Sequence, residues 1–388
     1  MQRMDNAKPK VLILTNIIPP YRVPLFNHLS QNSAFEFKII ALAETEANRQ
    51  WQLNKKQIQF SYQILPGWHA FIWRKELPIH LNWGLRKNLR SCKPDIVITS
   101  GYDNLAYWEA FIYTKMLRKP FILCNESTLL STTYTKGPIG FLKRFIIRRA
   151  DAYIAFGKKS KEYLEAFGVR PSRIHMGIDT VNMEFFRNQA WGYRKNARLN
   201  REREKLPKFL LLYVGQLIHR KGIFQVLSAL AELNDPEIGL FIIGSGPQEN
   251  ELKRFCREHC LRNIYFEGFQ QQEILPKYYA LADVLVLPSF YEVWGLVVNE
   301  ALASGLYVLC SDRAGAAHDL IKEGWNGMLF DPYNVEKLAV LIRQTKEKIE
   351  EIREQREAIS KHACREFSIE QLAKAFLNAI AFVLKEKK

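Results

Sequence analysis

A chain of 388 residues is too long for one ordinary hydrophobic core and predicts two domains of roughly 150–200 residues each. Apolar residues are 47% and charged residues 25%, which excludes a disordered chain or a fibre. The formal charge of +16 is uneven: residues 1–200 carry 31 Lys and Arg against 14 Asp and Glu, and residues 201–388 carry 25 against 26. The excess lies wholly in the first half, so that half suits a polyanion, either an anionic membrane surface or a nucleic acid.

Lys8 and Lys10 precede VLILTNII, but Asp5 stands among the basic residues and Pro19-Pro20-Tyr21-Arg22 follows in place of a cleavage site. The segment reads as a first strand, Lys10–Leu14, and not as a secretion leader. Apolar runs such as Val11–Leu14 and Phe209–Val214 are strand-length, well short of the ~18 residues of a membrane span. A helix over Arg22–Ser30 comes next, then strands at Phe35–Ile40, Asp95–Thr99, Phe121–Cys124 and Ala152–Ala155, with helices over Tyr102–Arg118 and Lys158–Phe167. The second half repeats the style. Its strands are Phe209–Val214, Gly239–Ile243, Val284–Leu287 and Tyr307–Cys310, and its helices Ile223–Leu233, Gln248–His259 and Leu296–Ser304, with a helical tail from Val335. Short apolar strands alternating with helices imply parallel sheets buried on both faces, hence an α/β chain of two doubly wound domains. Arg187–Lys208 is charged and poor in aliphatics, which sets a linker at residues 191–208 between domains 1–190 and 209–365.

Two basic segments in the first half carry aromatic residues. Pro66–Arg90 interleaves Trp68, Phe71, Trp73 and Trp83 with Arg74, Lys75, Arg86, Lys87 and Arg90. Lys136–Arg149 sets Phe141, Leu142, Phe145 and Ile146 at helical spacing beside Lys143, Arg144, Arg148 and Arg149. This pattern suits an interfacial helix, or a core helix with a basic rim. No nucleic-acid recognition motif accompanies it, so a membrane surface is the expected partner and nucleic acid is not. The six cysteines form no disulfide framework, and Cys256 and Cys260 lack a second pair of metal ligands.

Chemistry concentrates at strand ends in the second half. Tyr213-Val214-Gly215-Gln216 leads through Arg220-Lys221-Gly222 into a helix, placing a cation at the carboxyl end of a strand, where a phosphate binds. Ile243-Gly244-Ser245-Gly246-Pro247 and Phe266-Glu267-Gly268-Phe269 are further strand ends. Most informative is the run from Leu287 to Ala301, in which Glu292 precedes a helix and Glu300 lies about two turns inside it. The amides of Gly295, Leu296 and Val297 open that helix and form an anion site. Two carboxylates beside it accept hydroxyl donors such as those of a sugar. The plainer alternative makes Glu292 a helix cap and Glu300 a surface residue.

The spacing of Glu292 and Glu300, with Gly295 between and Ala301-Leu302-Ala303-Ser304-Gly305 after, resembles the E-x7-E signature of family-4 retaining glycosyltransferases. Ser311–Ala316, Asn326–Phe330, Gly215-x5-Lys221-Gly222 and Met176–Thr180 resemble its other elements. The resemblance implies the GT-B architecture: two Rossmann-like domains facing a cleft, an acceptor domain followed by a nucleotide-sugar domain, and a last helix, residues 366–388, packing back on the first. It implies that Glu292 contacts the transferred sugar and Glu300 the ribose. The Gly295–Val297 amides and the Lys221 side chain hold the diphosphate, Gly215 belongs to the same substrate site, and Phe266–Phe269, with Gly268 and Phe269, line the base pocket. The implied reaction keeps the anomeric configuration and needs no metal or other cofactor, because Lys221 and the helix N-terminus stabilise the leaving diphosphate.

The sequence departs from the family in three places. Its diphosphate-binding Arg is Gln216 here, with Arg220 as the substitute. Its first Gly-rich turn is replaced by Ile18–Arg22, with Tyr21 and Arg22 as side-chain substitutes. Its His after Phe121–Cys124 is replaced by Asn125 and Glu126, and Glu126 either partners the acceptor hydroxyl or caps the next segment. The basic first half then implies a lipid-linked or glycan acceptor in cell-surface polysaccharide or lipopolysaccharide assembly, at the cytoplasmic face of a membrane. An inactive nucleotide-sugar-binding protein and a nucleic-acid-binding protein are the alternatives.

Overall fold

The computed structural model describes residues 8–72, 77–131 and 137–386. Asp5, Trp73, Arg74, Lys75 and Lys136, used in the readings above, lie outside the described residues. The chain divides into two units, residues 1–178 with 369–388, and residues 179–368.

The first unit is built on β1 (Lys10–Thr15), β2 (Glu36–Ala41), β3 (Tyr62–Ile64), β4 (Gly67–Ile72), β5 (Leu77–Asn82), β6 (Ile96–Thr99), β7 (Phe121–Asn125), β8 (Ala152–Phe156) and β9 (Ile174–Gly177). Seven of these form one parallel sheet in the order β3-β2-β1-β6-β7-β8-β9, and β4 and β5 form a separate antiparallel hairpin. Side chains of β1 alternate between two cores. Val11 and Ile13 pack with Leu372, Phe376 and Ile380 of the helix Ile369–Lys385, while Leu12 and Leu14 pack with Leu85, Leu89 and Tyr107 of the helices Leu85–Cys92 and Leu105–Met116. Burial on both faces is why these strands read as continuous apolar runs. Residues 349–385 have the length and apolarity of a membrane span, but Leu372, Ala373, Phe376, Ile380 and Val383 lie in this core. The final helix thus belongs to the first unit.

The second unit carries β10 (Phe209–Val214), β11 (Ile238–Ile243), β12 (Ile264–Gly268), β13 (Val284–Leu287), β14 (Tyr307–Ser311) and β15 (Gly327–Phe330), all parallel, in the order β12-β11-β10-β13-β14-β15. In both sheets the strand order reverses beside the first strand, between β1 and β6 and between β10 and β13. A crevice opens at such a switch point, above the carboxyl ends of the strands.

The expected linker at residues 191–208 is a misreading. The helices Met183–Arg194 and Ala197–Glu204 occupy most of it, and the second unit begins at Asp179. Phe186 and Ala190 are buried, with the Phe186 ring edge-on to Tyr279 at 5.9 Å. The Asn196 side chain accepts from the Arg198 and Leu199 amides and caps the second helix. So few buried positions per helix leave an apolar signal too sparse to read. The hairpin, too, is absent from the sequence reading, because Trp68, His69, Ile72 and Leu81 show no clean alternation.

Candidate active site

The topology sets the Lys221 turn beside the Glu292 loop, because β10 and β13 are neighbours. Lys221 Nζ donates to Glu292 Oε2, Arg220 Nη1 stands 3.5 Å from the same oxygen, and Ser289 Oγ donates to it at 3.5 Å. The loop is fastened on two sides. Phe290 N donates to Arg220 O at 2.9 Å. Glu292 N donates to Arg313 O at 3.2 Å, and Gly315 N to Glu292 O at 3.0 Å. Arg313 Nε also holds Phe290 O at 2.6 Å. The Ser311–Ala316 segment thus acts as a backbone splint for the Glu292 loop.

Two glycines make these approaches possible. Gly222 has φ +68°, and a Cβ there would stand 2.1 Å from Pro288 O. Gly295 has φ +102° at the start of the helix Leu296–Ala303, where a Cβ would stand 2.9 Å from Leu287 Cδ2. In the first turn of that helix the Val298 amide donates to Gly295 O at 2.9 Å, and the Leu296 and Val297 amides ahead of it open the helix next to Glu292.

The two carboxylates differ sharply. Burial is the largest influence on Glu292 and pushes its carboxyl up, but the charges of Lys221 and Arg220, with the bonds from Lys221 and Ser289, outweigh it. Glu292 is therefore held ionised, below its usual range. Burial raises Glu300 to about 7, with the Tyr279 hydroxyl, which donates to Glu300 Oε2 at 2.7 Å, acting in the opposite sense. Glu300 is not the surface residue of the plainer reading: it is 9% exposed.

The remaining residues expected in this unit lie along neighbouring strand ends. Gly215 N donates to Ile243 O at 2.9 Å, Gly244 N to Gly268 O at 2.8 Å and Leu217 N to Ser245 O at 3.0 Å, which laces the turns after β10, β11 and β12 together. Gln216 offers its carbonyl to Tyr213 Oη at 2.8 Å. Gly268 closes β12, next to Phe269, which is 38% exposed. Pro247 stands two residues ahead of the helix Glu249–Glu258. Arg220 lies within reach of Glu292 and over the Tyr291 ring at 5.1 Å, so the cation missing at Gln216 has a neighbour in the site. Ser289 and Tyr279 were not legible, since nothing in sequence marks a serine or tyrosine as a partner of a distant carboxylate.

The first unit has its own cluster at the carboxyl ends of its strands. Arg22 Nη2 donates to Glu126 Oε1 at 2.8 Å across 104 positions, and the guanidinium lies over Phe156 at 4.5 Å and Tyr21 at 5.2 Å. Arg22 is buried, whereas the Glu126 side chain is 44% exposed and available to a ligand. Asn125 is turned inward instead, its Nδ2 donating to Ser160 Oγ at 2.7 Å and Ser127 O at 2.9 Å, so it shapes the loop rather than facing solvent. A neighbouring network escaped the sequence reading. Glu46 accepts from Asn16 Nδ2 at 2.6 Å and meets His80 Nε2 at 3.4 Å, and His80 Nδ1 stands 3.0 Å from His69 Nδ1. His69 and His80 are direct cross-strand partners of the hairpin. Burial pushes Glu46 up, but the His80 bond, the Arg49 charge and the Asn16 bond together bring it below its usual range.

The family described as Glycosyltransferase Family 4 matches residues 33–181, and that described as Glycosyl transferases group 1 matches residues 195–365. Among curated relatives, the sulfoquinovosyl transferase SQD2 of Arabidopsis thaliana is 28% identical over 284 residues, 71% of this chain and 53% of the relative. The chain spans about half the length of the curated relatives it matches. Anabaena Alr3699/HepE, solved with UDP, superposes with a TM-score of 0.74 at 16% identity, over 96% of this chain and 99% of that one. The lipopolysaccharide outer core galactosyltransferase WaaB gives 0.69 at 19% identity, over 96% and 99%. Its two Rossmann-like units have the GT-B fold, and with the E-x7-E carboxylates at the head of the second unit's helix, the chain belongs to the group 1 glycosyltransferases of family-4 type.

Proposed function

We propose that this protein is a retaining glycosyltransferase that moves a sugar from a nucleotide-diphosphate donor to a lipid-linked or cell-surface glycan acceptor, at the cytoplasmic face of a membrane and without a metal. The observation that carries the reading is the convergence of Lys221 and Arg220 on Glu292 at a helix N-terminus. Breaking the bond between the sugar's anomeric carbon and the diphosphate oxygen leaves negative charge on that oxygen. Two cations and the Gly295–Val297 amides, held in place before the reaction, favour that charge. Glu292, ionised, accepts from hydroxyls of the transferred sugar, and Glu300 from the ribose. Gly268 and Phe269 border the base. In the first unit, Glu126 and Arg22 with Tyr21 serve the acceptor. HepE's complex with UDP supports a uridine donor, and WaaB's substrate class supports a surface-glycan acceptor.

Thermal unfolding with UDP, GDP, ADP and their sugar conjugates tests this directly, because a ligand bound only by the folded chain raises the midpoint. The expected result is a rise with one base, unchanged in EDTA. No rise with any of them would overturn the nucleotide site, and a rise that EDTA abolishes would overturn the metal-free reading.

Glu300 adds a pH test. Its carboxyl at about 7 is charged above that pH and neutral below it. Hydroxyl donors prefer the charged form, so nucleotide affinity should rise between pH 6 and pH 8, and binding near pH 7 should release protons. Isothermal titration in buffers of different ionisation enthalpy measures that release. Glu300→Gln should flatten the profile, and an equally steep profile in that variant would remove Glu300 from the ribose site.

A further inference from the structure

The helix Gly137–Arg149 of the first unit buries only part of its apolar side. Ile146 and Ile147 are in the core, but Ile139, Phe141 and Leu142 are 58%, 68% and 50% exposed. The neighbouring helix Leu105–Met116 does the same along one stripe: Leu105, Ile112 and Met116 recur at i, i+7 and i+11 and are 67%, 50% and 78% exposed. An aromatic row joins the two helices, with Trp108 stacked on Phe145 at 6.4 Å and Phe145 next to Phe141 at 6.5 Å. Large apolar side chains on adjacent elements make a contiguous face, and such a face marks a docking site.

The charge around this face selects the occupant. The nearby acids are matched: Glu109 by Arg86 at 3.1 Å, Asp151 by Lys115 at 2.8 Å, and Asp95 by Lys119 at 2.8 Å. Arg118, Arg144 and Arg149 have no carboxylate partner among the described residues. Arg149 lies over the Phe145 ring at 3.9 Å, at the border of the apolar face. Arg148 donates to Phe167 O at 3.0 Å and so braces the helix as well as carrying charge. Apolar side chains rimmed by unmatched arginines complement an anionic bilayer: the apolar groups enter the acyl boundary and the guanidinium groups meet phosphates.

Position adds a functional reason. In this parallel sheet each following helix starts at the carboxyl end of its strand. Leu105 therefore stands near the end of β6, and Phe141 and Leu142 lie in the first turns of the helix after β7 and Glu126. We propose that the face formed by the helices Leu105–Met116 and Gly137–Arg149 docks on an anionic lipid bilayer, so that a lipid-borne acceptor reaches the Arg22–Glu126 pair at the adjoining edge of the sheet. The proposal rests on the acceptor reading above for that last step, but the docking itself does not.

Flotation of the full chain with vesicles of phosphatidylglycerol and phosphatidylcholine, and with phosphatidylcholine alone, tests it. The expected result is binding to the anionic vesicles, weak binding to the neutral ones, and loss of binding in high salt. Reversing Arg144 and Arg149 to Glu should lower the affinity about tenfold or more. Phe141→Ser with Leu142→Ser should lower it comparably, because both side chains lose their apolar contact with the acyl boundary. These residues are on the surface, so far-UV circular dichroism and the nucleotide-induced thermal rise should match wild type. Unchanged vesicle binding in both double variants overturns the proposal. So does an absence of vesicle binding together with self-association that the Ser variants abolish, which would assign the face to a second copy. Vesicle binding without any nucleotide effect would overturn the donor site and leave the docking face standing.

Discussion

Replacing Glu292 by alanine should reduce sugar transfer about a thousandfold or more while the second unit keeps its fold and still binds the free nucleotide diphosphate. Glu292 is the one carboxylate on which Lys221, Arg220 and Ser289 all converge, and the splint from Arg313 and Gly315 holds its backbone whatever its side chain. The variant frees both cations for phosphate, so the affinity for nucleotide diphosphate should hold or increase. The sugar, in contrast, loses its charged acceptor. Glu292→Gln keeps the shape and one acceptor oxygen without the charge, and should fall between the two. Single-turnover rates and nucleotide titrations on the same preparations separate these effects. Wild-type turnover in Glu292→Ala would remove the residue from the reaction. Equal loss of turnover and of nucleotide binding would mean that the carboxylate organises the site and does not act on the sugar.

The second large effect is on stability. Asp283, at the start of β13, is 1% exposed and gathers Arg203 at 3.0 Å, Arg353 at 3.0 Å and Arg356 at 2.6 Å, while also accepting from Leu210 N at 3.0 Å. It ties the helix Ala197–Glu204 and the helix Ile349–Glu366 to the two central strands. Asp283→Ala takes from Arg203 and Arg356 the carboxylate they share and leaves Arg353 with Glu350 at 2.7 Å, and removing one side of a buried ion cluster costs about 3–5 kcal/mol. Urea denaturation should show that loss in the second unit, and a change under about 1 kcal/mol would mean the arginines find other partners. The acid sensitivity has a definite sign. Burial pushes the Asp283 carboxyl up, but Arg356, Arg353 and Arg203 more than offset it, so its folded value lies below the usual one. Its stabilisation is therefore present above the unfolded carboxyl value and disappears as pH falls through the folded one. Asp283→Ala should remove that part of the acid slope.

The strands and the carboxylate pair at the helix start were largely readable. Phe209–Val214 and Val284–Leu287 are buried on both faces, so their apolar runs identify them without any partner. Glu292, Glu300 and Gly295 lie close in sequence, and a helix start converts that spacing directly into geometry. Helices with few buried positions were not readable. Met183–Arg194 and Ala197–Glu204 looked like a linker because their role is to present arginines: Arg194 donates to Ser304 O at 2.7 Å and Tyr279 O at 3.0 Å, and Arg203 reaches Asp283. The face proposed here to meet a membrane was half legible. The basic, aromatic composition was visible, but which apolar side chains stay outside was not. Burial of Ile146 and exposure of Phe141 on one helix depend on what packs against it.

By itself, the sequence determined two parallel α/β units, a charge excess confined to the first 200 residues, and a pair of carboxylates at a helix start. Each is a local or additive property: periodicity, composition, or spacing within a few turns. Only the tertiary structure decided the rest. Lys221 and Glu292 are 71 positions apart and meet because β10 and β13 are neighbours at the point where strand order reverses. Arg22 meets Glu126, and Tyr279 meets Glu300, through register between elements that share no sequence signal. Side chains far apart in the chain acquire a common site through strand order, and strand order follows from packing all the strands and helices at once.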